Sequence, residues 1–226
     1  MVFASDISKA YAGMQVLKNC TFSLPGSSIT ALAGPNGAGK TTLLKIVAQA
    51  LKPDTGTVWI EGEDARKFLP RIGYVPQQNA FFYELTVHDN LRYWFNGAEP
   101  EAYSETIERL ELSSLLNKKA SALSGGMQRR LNMAISLVNS PSLLIMDEPL
   151  TGVDVATRIL FMQWMRDLKQ SGLTIFYSTH HSDEIVHTAD NLFLMREGTL
   201  SLMQNLEGRE PNIERLIFEY IHEKAL

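Results

Sequence analysis

The stretch Ala33–Leu44, AGPNGAGKTTLL, leaves this chain little freedom of fold. Gly34, Gly39, Lys40 and Thr41 satisfy the spacing G-x-x-x-x-G-K-[ST]. In this pattern a glycine-rich turn aims successive backbone N–H groups at a polyphosphate, at the start of a helix whose dipole favours anions. Pro35, Asn36, Gly37, Ala38 and Gly39 form the turn, and with Lys40, Thr41 and Thr42 they are the candidate phosphate contacts. Lys40 would reach the β- and γ-phosphates, and the Thr41 hydroxyl would coordinate Mg²⁺. Such a loop belongs between a buried strand and a helix. The flanks supply both: SSITALA reads as a buried strand, and TTLLKIVAQAL has helical apolar spacing.

The chain has 226 residues, 45% of them hydrophobic, enough for one large domain or two lobes. A formal net charge of −4 lacks the basic bias of a nucleic-acid binder, and no nucleic-acid partner is expected. The single cysteine, Cys20, forms no internal disulfide and fits a reducing compartment. No apolar run approaches the ~20 residues of a membrane-spanning helix, and the first residues carry no secretory-signal pattern; the chain is expected to be soluble. Through residues 1–75, short strand-like runs (TFSL, SITALA, GTVWI, RIGYV) surround the loop. From about residue 79 to 140 the texture is helical, with Met127, Leu131, Ala134 and Val138 on one helix face. Strand-like runs return at LLIM, LTIFY and LFLM, separated by a helix-like stretch over 155–170. This alternation implies a mostly parallel α/β sheet with a helical insertion. Near the end, Ile213, Leu216, Ile217, Tyr220 and Ile221 recur at helical spacing, as a helix packed on its own domain or bound to a partner.

Two more segments carry chemistry. SLLIMDEP, Ser142–Pro149, is an apolar strand ending in two acids: Asp147 suits a Mg²⁺ shell, and Glu148 can face the γ-phosphate and polarise a water. In LSGGMQRR, Leu123–Arg130, Ser124, Gly125 and Gly126 lie where a helix over 127–138 begins, which makes a second anion cradle.

In this order and spacing, the phosphate loop, LSGGMQ and LLIMDEP resemble the ATP-binding cassette ATPases, and the likeness runs over essentially the whole chain. The resemblance implies an α/β fold: a P-loop NTPase core with a mostly parallel sheet, an N-terminal antiparallel β region and a helical subdomain. It implies one domain, 1–226, in which 1–78 and 141–226 form the strand-rich core and about 79–140 the helical subdomain. ATP and Mg²⁺ are the implied ligands. In that family the signature Ser-Gly-Gly of one subunit closes on the γ-phosphate held by another, so Ser124, Gly125 and Gly126, with Gln128, would serve a partner's site in a head-to-tail dimer. Tyr11 in YAGMQVL would stack on adenine. Gln77 in IGYVPQQ would contact Mg²⁺ and water, with Gln78 a near alternative. His180 in YSTHHSDE would hydrogen-bond the γ-phosphate beside a structural His181. Asp154 in LTGVD, preceded by Val153 where the family usually has Leu, would shape the opposing site. Thr41, Gln77 and Asp147 are then the metal set, and Glu148, His180 and Gln77 the catalytic set.

The resemblance implies ATP hydrolysis in the nucleotide-binding subunit of a transporter. Such a subunit is cytoplasmic, peripheral on the cytoplasmic face of a membrane, and paired with an integral-membrane subunit and a second ATPase subunit, identical or not. The doubled histidine, the GGMQRRL continuation and the short C-terminus resemble ATPases serving exporters with separate membrane parts; an importer motor remains open. Phe81, Phe82 and Tyr83 are candidate apolar anchors for the membrane subunit, or else close the lobe's own core. An alternative from another class is a soluble cassette ATPase acting in cofactor or complex assembly without a membrane subunit.

Overall fold

Four strands near the N-terminus and six distributed along the chain form two separate sheets in the computed structural model, which describes residues 1–96, 103–203 and 213–222. The first sheet is antiparallel, in the order β2 (Met14–Leu24), β1 (Val2–Tyr11), β4 (Thr55–Ile60), β5 (Glu63–Asp64). The second contains β3 (Ile29–Ala33), β6 (Ile72–Val75), β7 (Leu143–Met146), β8 (Thr174–Thr179), β9 (Asn191–Arg196) and β10 (Thr199–Met203). Its order is β10-β9-β3-β8-β7-β6, parallel from β9 to β6, with β10 returning antiparallel. Seven α-helices accompany the sheets among the described residues: α1 (Lys40–Val47), α2 (Val87–Trp94), α3 (Ser104–Arg109), α4 (Gly125–Ser136), α5 (Val155–Gln170), α6 (Ser182–Thr188) and α7 (Ile213–His222). This is the α/β architecture that the resemblance implies.

The parallel strands are apolar on both faces because both faces are covered. The period of two along each strand divides their side chains between two cores. On one face Ala31, Leu144, Met146, Ile175, Tyr177 and Leu192 pack with Val87 and Leu91 of α2, Ile107 of α3, Leu131 and Ala134 of α4, and Phe161 of α5. On the other face Leu32, Leu143, Ile145, Phe176 and Phe193 pack with α1, through Leu43, Leu44, Ile46 and Val47, and with Ile7, Leu17 and Phe22 of the antiparallel sheet. The helix bearing the glycine loop is thus sandwiched between two sheets. The helical segment shares its core with the opposite face of the parallel sheet.

Three local expectations change. The helix read through TTLLKIVAQAL ends at Val47, because Gln49 turns left-handed (φ 58°) and the residue before Pro53 disfavours helix. Val138 lies beyond α4, which stops at Ser136, and both Met127 and Val138 are only half-buried. Among the three aromatics read as exposed candidates, Phe81 is 8% exposed and joins the core shared with the parallel sheet, whereas Phe82 and Tyr83 are 43% and 46% exposed. In α7, Ile217 is fully buried and Tyr220 packs against the same core; the side chains of Ile213, Leu216 and Ile221 lie outside the described residues.

Candidate active site

Fully buried β3 delivers the chain to Gly34, where the glycine turn begins. A Cβ on Gly34 would stand 2.1 Å from the Met195 carbonyl oxygen on β9, so only glycine permits this approach. Gly39, immediately before α1, has φ 107° and a virtual Cβ 2.9 Å from the Val16 carbonyl, and again excludes a side chain. The loop and the first turn of α1 border a cavity of about 440 Å³, lined by Val16, Asn36, Gly37, Ala38, Gly39, Lys40, Thr41, Thr42, Gln77, Glu148 and His180. Lys40 is 6% exposed and donates from Nζ to the carbonyls of Gly34 (2.7 Å) and Pro35 (3.2 Å). Burial pulls its pKa down while the carboxylates of Glu148 and Asp147 oppose that shift.

The acids come from the end of β7. Asp147 is 1% exposed and lies behind the cavity rather than on its wall. Its Oδ1 accepts a bond from Ser178 Oγ on β8 (2.7 Å); among the described residues its buried Oδ2 has no partner. A buried carboxylate oxygen left open beside a phosphate loop fits a cation or its water shell. Glu148 takes a left-handed backbone (φ 45°), and its N–H donates to the same Ser178 Oγ (2.9 Å). That conformation, sparsely populated by residues other than glycine, swings the side chain into the cavity. There Oε2 accepts from Gln77 Nε2 (3.2 Å) and Thr151 Oγ1 (3.3 Å), while Oε1 stands 3.4 Å from His180 Nδ1. From α4 the buried guanidinium of Arg129 donates to five main-chain carbonyls around this turn: Pro149, Asp147, Glu148, Pro76 and Gln77.

His180 follows the last residue of β8. Thr179 Oγ1 donates to the buried Glu184 Oε2 (2.5 Å) and accepts from the His181 N–H (3.1 Å), which ties the turn to α6. The two histidine rings lie 4.2 Å apart, with His180 facing Glu148. Of the two glutamines, Gln77 lines the cavity and meets Glu148; Gln78 is exposed and does not line it.

The remaining candidates stand apart from this cavity. Tyr11 ends β1 at a hairpin, is 46% exposed and does not line the cavity; Val16 from the same hairpin does. Ser124 and Gly125 are exposed at the start of α4, where Ser124 Oγ caps the Met127 N–H. Gly126 faces α5, where a Cβ would meet Thr157 Oγ1 at 2.9 Å. Gln128 turns into its own lobe, bonding Asn79 and the carbonyls of Ala120 and Leu123. Asp154 caps α5 through the Thr157 N–H and hydroxyl, which hold its carboxyl below its ordinary pKa. Pro35 contributes its carbonyl to Lys40 and to the Ala38 N–H. Sequence reasoning missed Val16, Ser178, Thr151 and Arg129. Only Ser178, two residues before His180 on a strand of the site, left a signal that could have been followed.

Comparison with known proteins decides the kinship. The ABC transporter family profile matches residues 17–151, more than half of the chain, spanning the glycine loop, Gln77, Ser124 and Glu148. The chain belongs to the ABC transporter family. This ABC ATPase is 31% identical to the lantibiotic transport ATP-binding protein SrtF of Streptococcus pyogenes, over 96% of this chain and 95% of that one. It is 32% identical to the linearmycin resistance ATP-binding protein LnrL of Bacillus subtilis, over 88% of this chain and 68% of that one. It is also 36% identical to the Fe(3+) ions import ATP-binding protein FbpC 2 of Pectobacterium atrosepticum, over 86% and 60%. Among solved structures, a dimeric ATP-binding cassette in a post-hydrolysis state, bound to ADP and phosphate, matches with a TM-score of 0.84 and 25% identity. That match covers 92% of this chain and 100% of that one. As an ABC ATPase, the chain is a nucleotide-binding ATP hydrolase.

Proposed function

We propose that this ABC ATPase powers export through a separate integral-membrane subunit, and that two ATPase subunits act together head to tail on ATP and Mg²⁺. The observation that carries the hydrolytic part is the convergence of Gln77, Thr151 and His180 on the Glu148 carboxylate at the mouth of the glycine loop. In the reaction, ATP and water become ADP and phosphate. The loop amides and Lys40 hold the phosphates, Glu148 positions a water and takes its proton, and Gln77 and His180 keep the carboxylate aimed. Thr41 and the open Oδ2 of Asp147 would hold Mg²⁺, which when bound neutralises charge on the phosphate oxygens. Among the described residues no group of three His, Cys, Asp or Glu side chains could by itself hold a metal. Tyr11, exposed beside Lys9 in the hairpin, is the proposed adenine platform, and Ser124, Gly125 and Gly126 the contacts to the partner's ATP.

Export is supported by the relatives named for lantibiotic transport and linearmycin resistance, although a relative named for iron import also matches. Among the described residues no helix is long and apolar enough to cross a membrane, so on this reading another chain forms the path. Phe82, packed edge-on against Tyr93 (4.8 Å), with Trp94 beyond it, forms an exposed aromatic ridge on the helical lobe suited to an apolar anchor. Replacing Phe82 and Tyr83 with Ser is expected to leave ATP binding intact and release the protein from membranes in fractionation. A native protein that never sediments with membranes and captures no integral-membrane protein in mild detergent would instead favour a soluble assembly ATPase.

A further inference from the structure

The parallel ladder between β6 and β7 ends at the pair Val75–Met146, and the residues that carry the chemistry lie beyond it. After that pair, the Asp147 N–H still reaches the Val75 carbonyl (2.9 Å); Gln77 and Glu148 are then on separate loops. The sheet does not set their spacing. Arg129 bridges the gap: its Nη1 donates to the carbonyls of Pro76 (2.7 Å) and Gln77 (3.4 Å), on the β6 side. Its Nε donates to Pro149 (2.8 Å) and its Nη2 to Asp147 (3.2 Å) and Glu148 (3.1 Å), on the β7 side. The rigid planar fork lets one side chain hold both loops, and its contacts flank the left-handed turn at Glu148. Arg129 is 5% exposed. Burial lowers its pKa to about 10, opposed by the carboxylates of Asp147 and Glu148, so it stays a cation at neutral pH.

We propose that Arg129 is a positioning residue for hydrolysis. It fixes the distance between the Gln77 amide and the Glu148 carboxylate, and it joins both to the helix that begins at Ser124. This inference rests on the reading of Glu148 as the group that acts on water. Because Ser124 and Arg129 share the first turns of α4, a ligand that shifts the start of this helix also shifts the two loops, so each half of a paired assembly is mechanically tied to its own catalytic carboxylate.

The test is a double-mutant cycle on the full chain, with steady-state ATP turnover and ATP affinity as readouts. Arg129→Gln is expected to lower kcat by more than about tenfold while leaving KM for ATP within about threefold. In a Gln77→Ala background the same substitution should cost much less, since the alignment it supports is already gone. Arg129→Lys, which keeps the charge but not the fork, should fall between wild type and Arg129→Gln. If Arg129→Gln fails to fold, the cycle is run with Arg129→Lys. Equal losses of kcat with and without Gln77, or a rise in KM at unchanged kcat, would overturn the positioning role. Turnover that survives Glu148→Gln would overturn the catalytic reading beneath it, a result distinct from either.

Discussion

Glu148→Gln keeps the shape of the side chain and its contacts with Gln77 and Thr151, but an amide cannot take a proton from water. Turnover is expected to fall by about 10²–10⁴-fold while Mg-ATP affinity stays within a few fold, and the variant should collect as an ATP-dependent dimer. Single-turnover kinetics with size-exclusion chromatography reads both; near-normal turnover would shift the base to another residue. That Glu148, Lys40 and His180 gather at the glycine loop could be read from the sequence, because residue type and spacing suffice to place them there. Arg129 left no such signal and Ser178 only its place two residues before His180, because what they do depends on partners distant along the chain. Arg129 meets bare carbonyls on two loops, and Ser178 meets Asp147 Oδ1 and the Glu148 N–H across a strand boundary. Arg129, the first arginine in GGMQRRL, gains its role only when α4 is laid against the loops that follow β6 and β7. That Val16 lines the cavity was illegible for the same reason: the bend of a hairpin, not its composition, brings this side chain to the loop.

Elements were legible where burial has a simple period. The helical lobe and the run of buried parallel strands follow from apolar patterning, whereas the end of α1 and the split of the strand side chains into two cores depend on packing. The tie between β8 and α6 is an element-level device with a pH dependence of its own. Glu184 stands in the first turn of α6, 1% exposed, and accepts the Thr179 hydroxyl. Burial raises its carboxyl above the ordinary value of 4.5, opposed by Thr179 and by Arg158, whose Nε is 3.9 Å away. The folded chain therefore holds this proton more tightly than the unfolded one. The resulting stability is complete below the ordinary value and is lost as pH rises through the raised one. Glu184→Gln is neutral at every pH and can still bond Thr179, so its Tm relative to wild type should be higher at a pH well above the ordinary carboxyl value than at one below it, by roughly 2–4 °C for each kcal/mol involved. Calorimetry at both pH values checks this; a gap that narrows as pH rises would reverse the sign.

At the scale of the whole molecule, the glycine loop and Ser124 lie on separate parts of one chain, and among the described residues the cavity at the loop has no wall from Ser124, Gly125 or Gly126. A head-to-tail pair would complete one chain's cavity with the other's α4. Lys40→Ala and Ser124→Arg chains should each be inactive alone, yet mixing them should restore measurable ATP hydrolysis. The mixed pair contains one site with an intact Lys40 and an intact Ser124. A mixture as inactive as its parts, with both chains folded, would rule out that geometry. The parallel sheet that separates the two cores also bears on how substitutions combine. Side chains around α1 and those of the helical lobe lie on opposite faces of β3, β7 and β8, so a volume change on one face meets few neighbours on the other. Paired volume changes, one on each face of the sheet, should therefore combine almost additively in their effect on stability, whereas two on the same face should not.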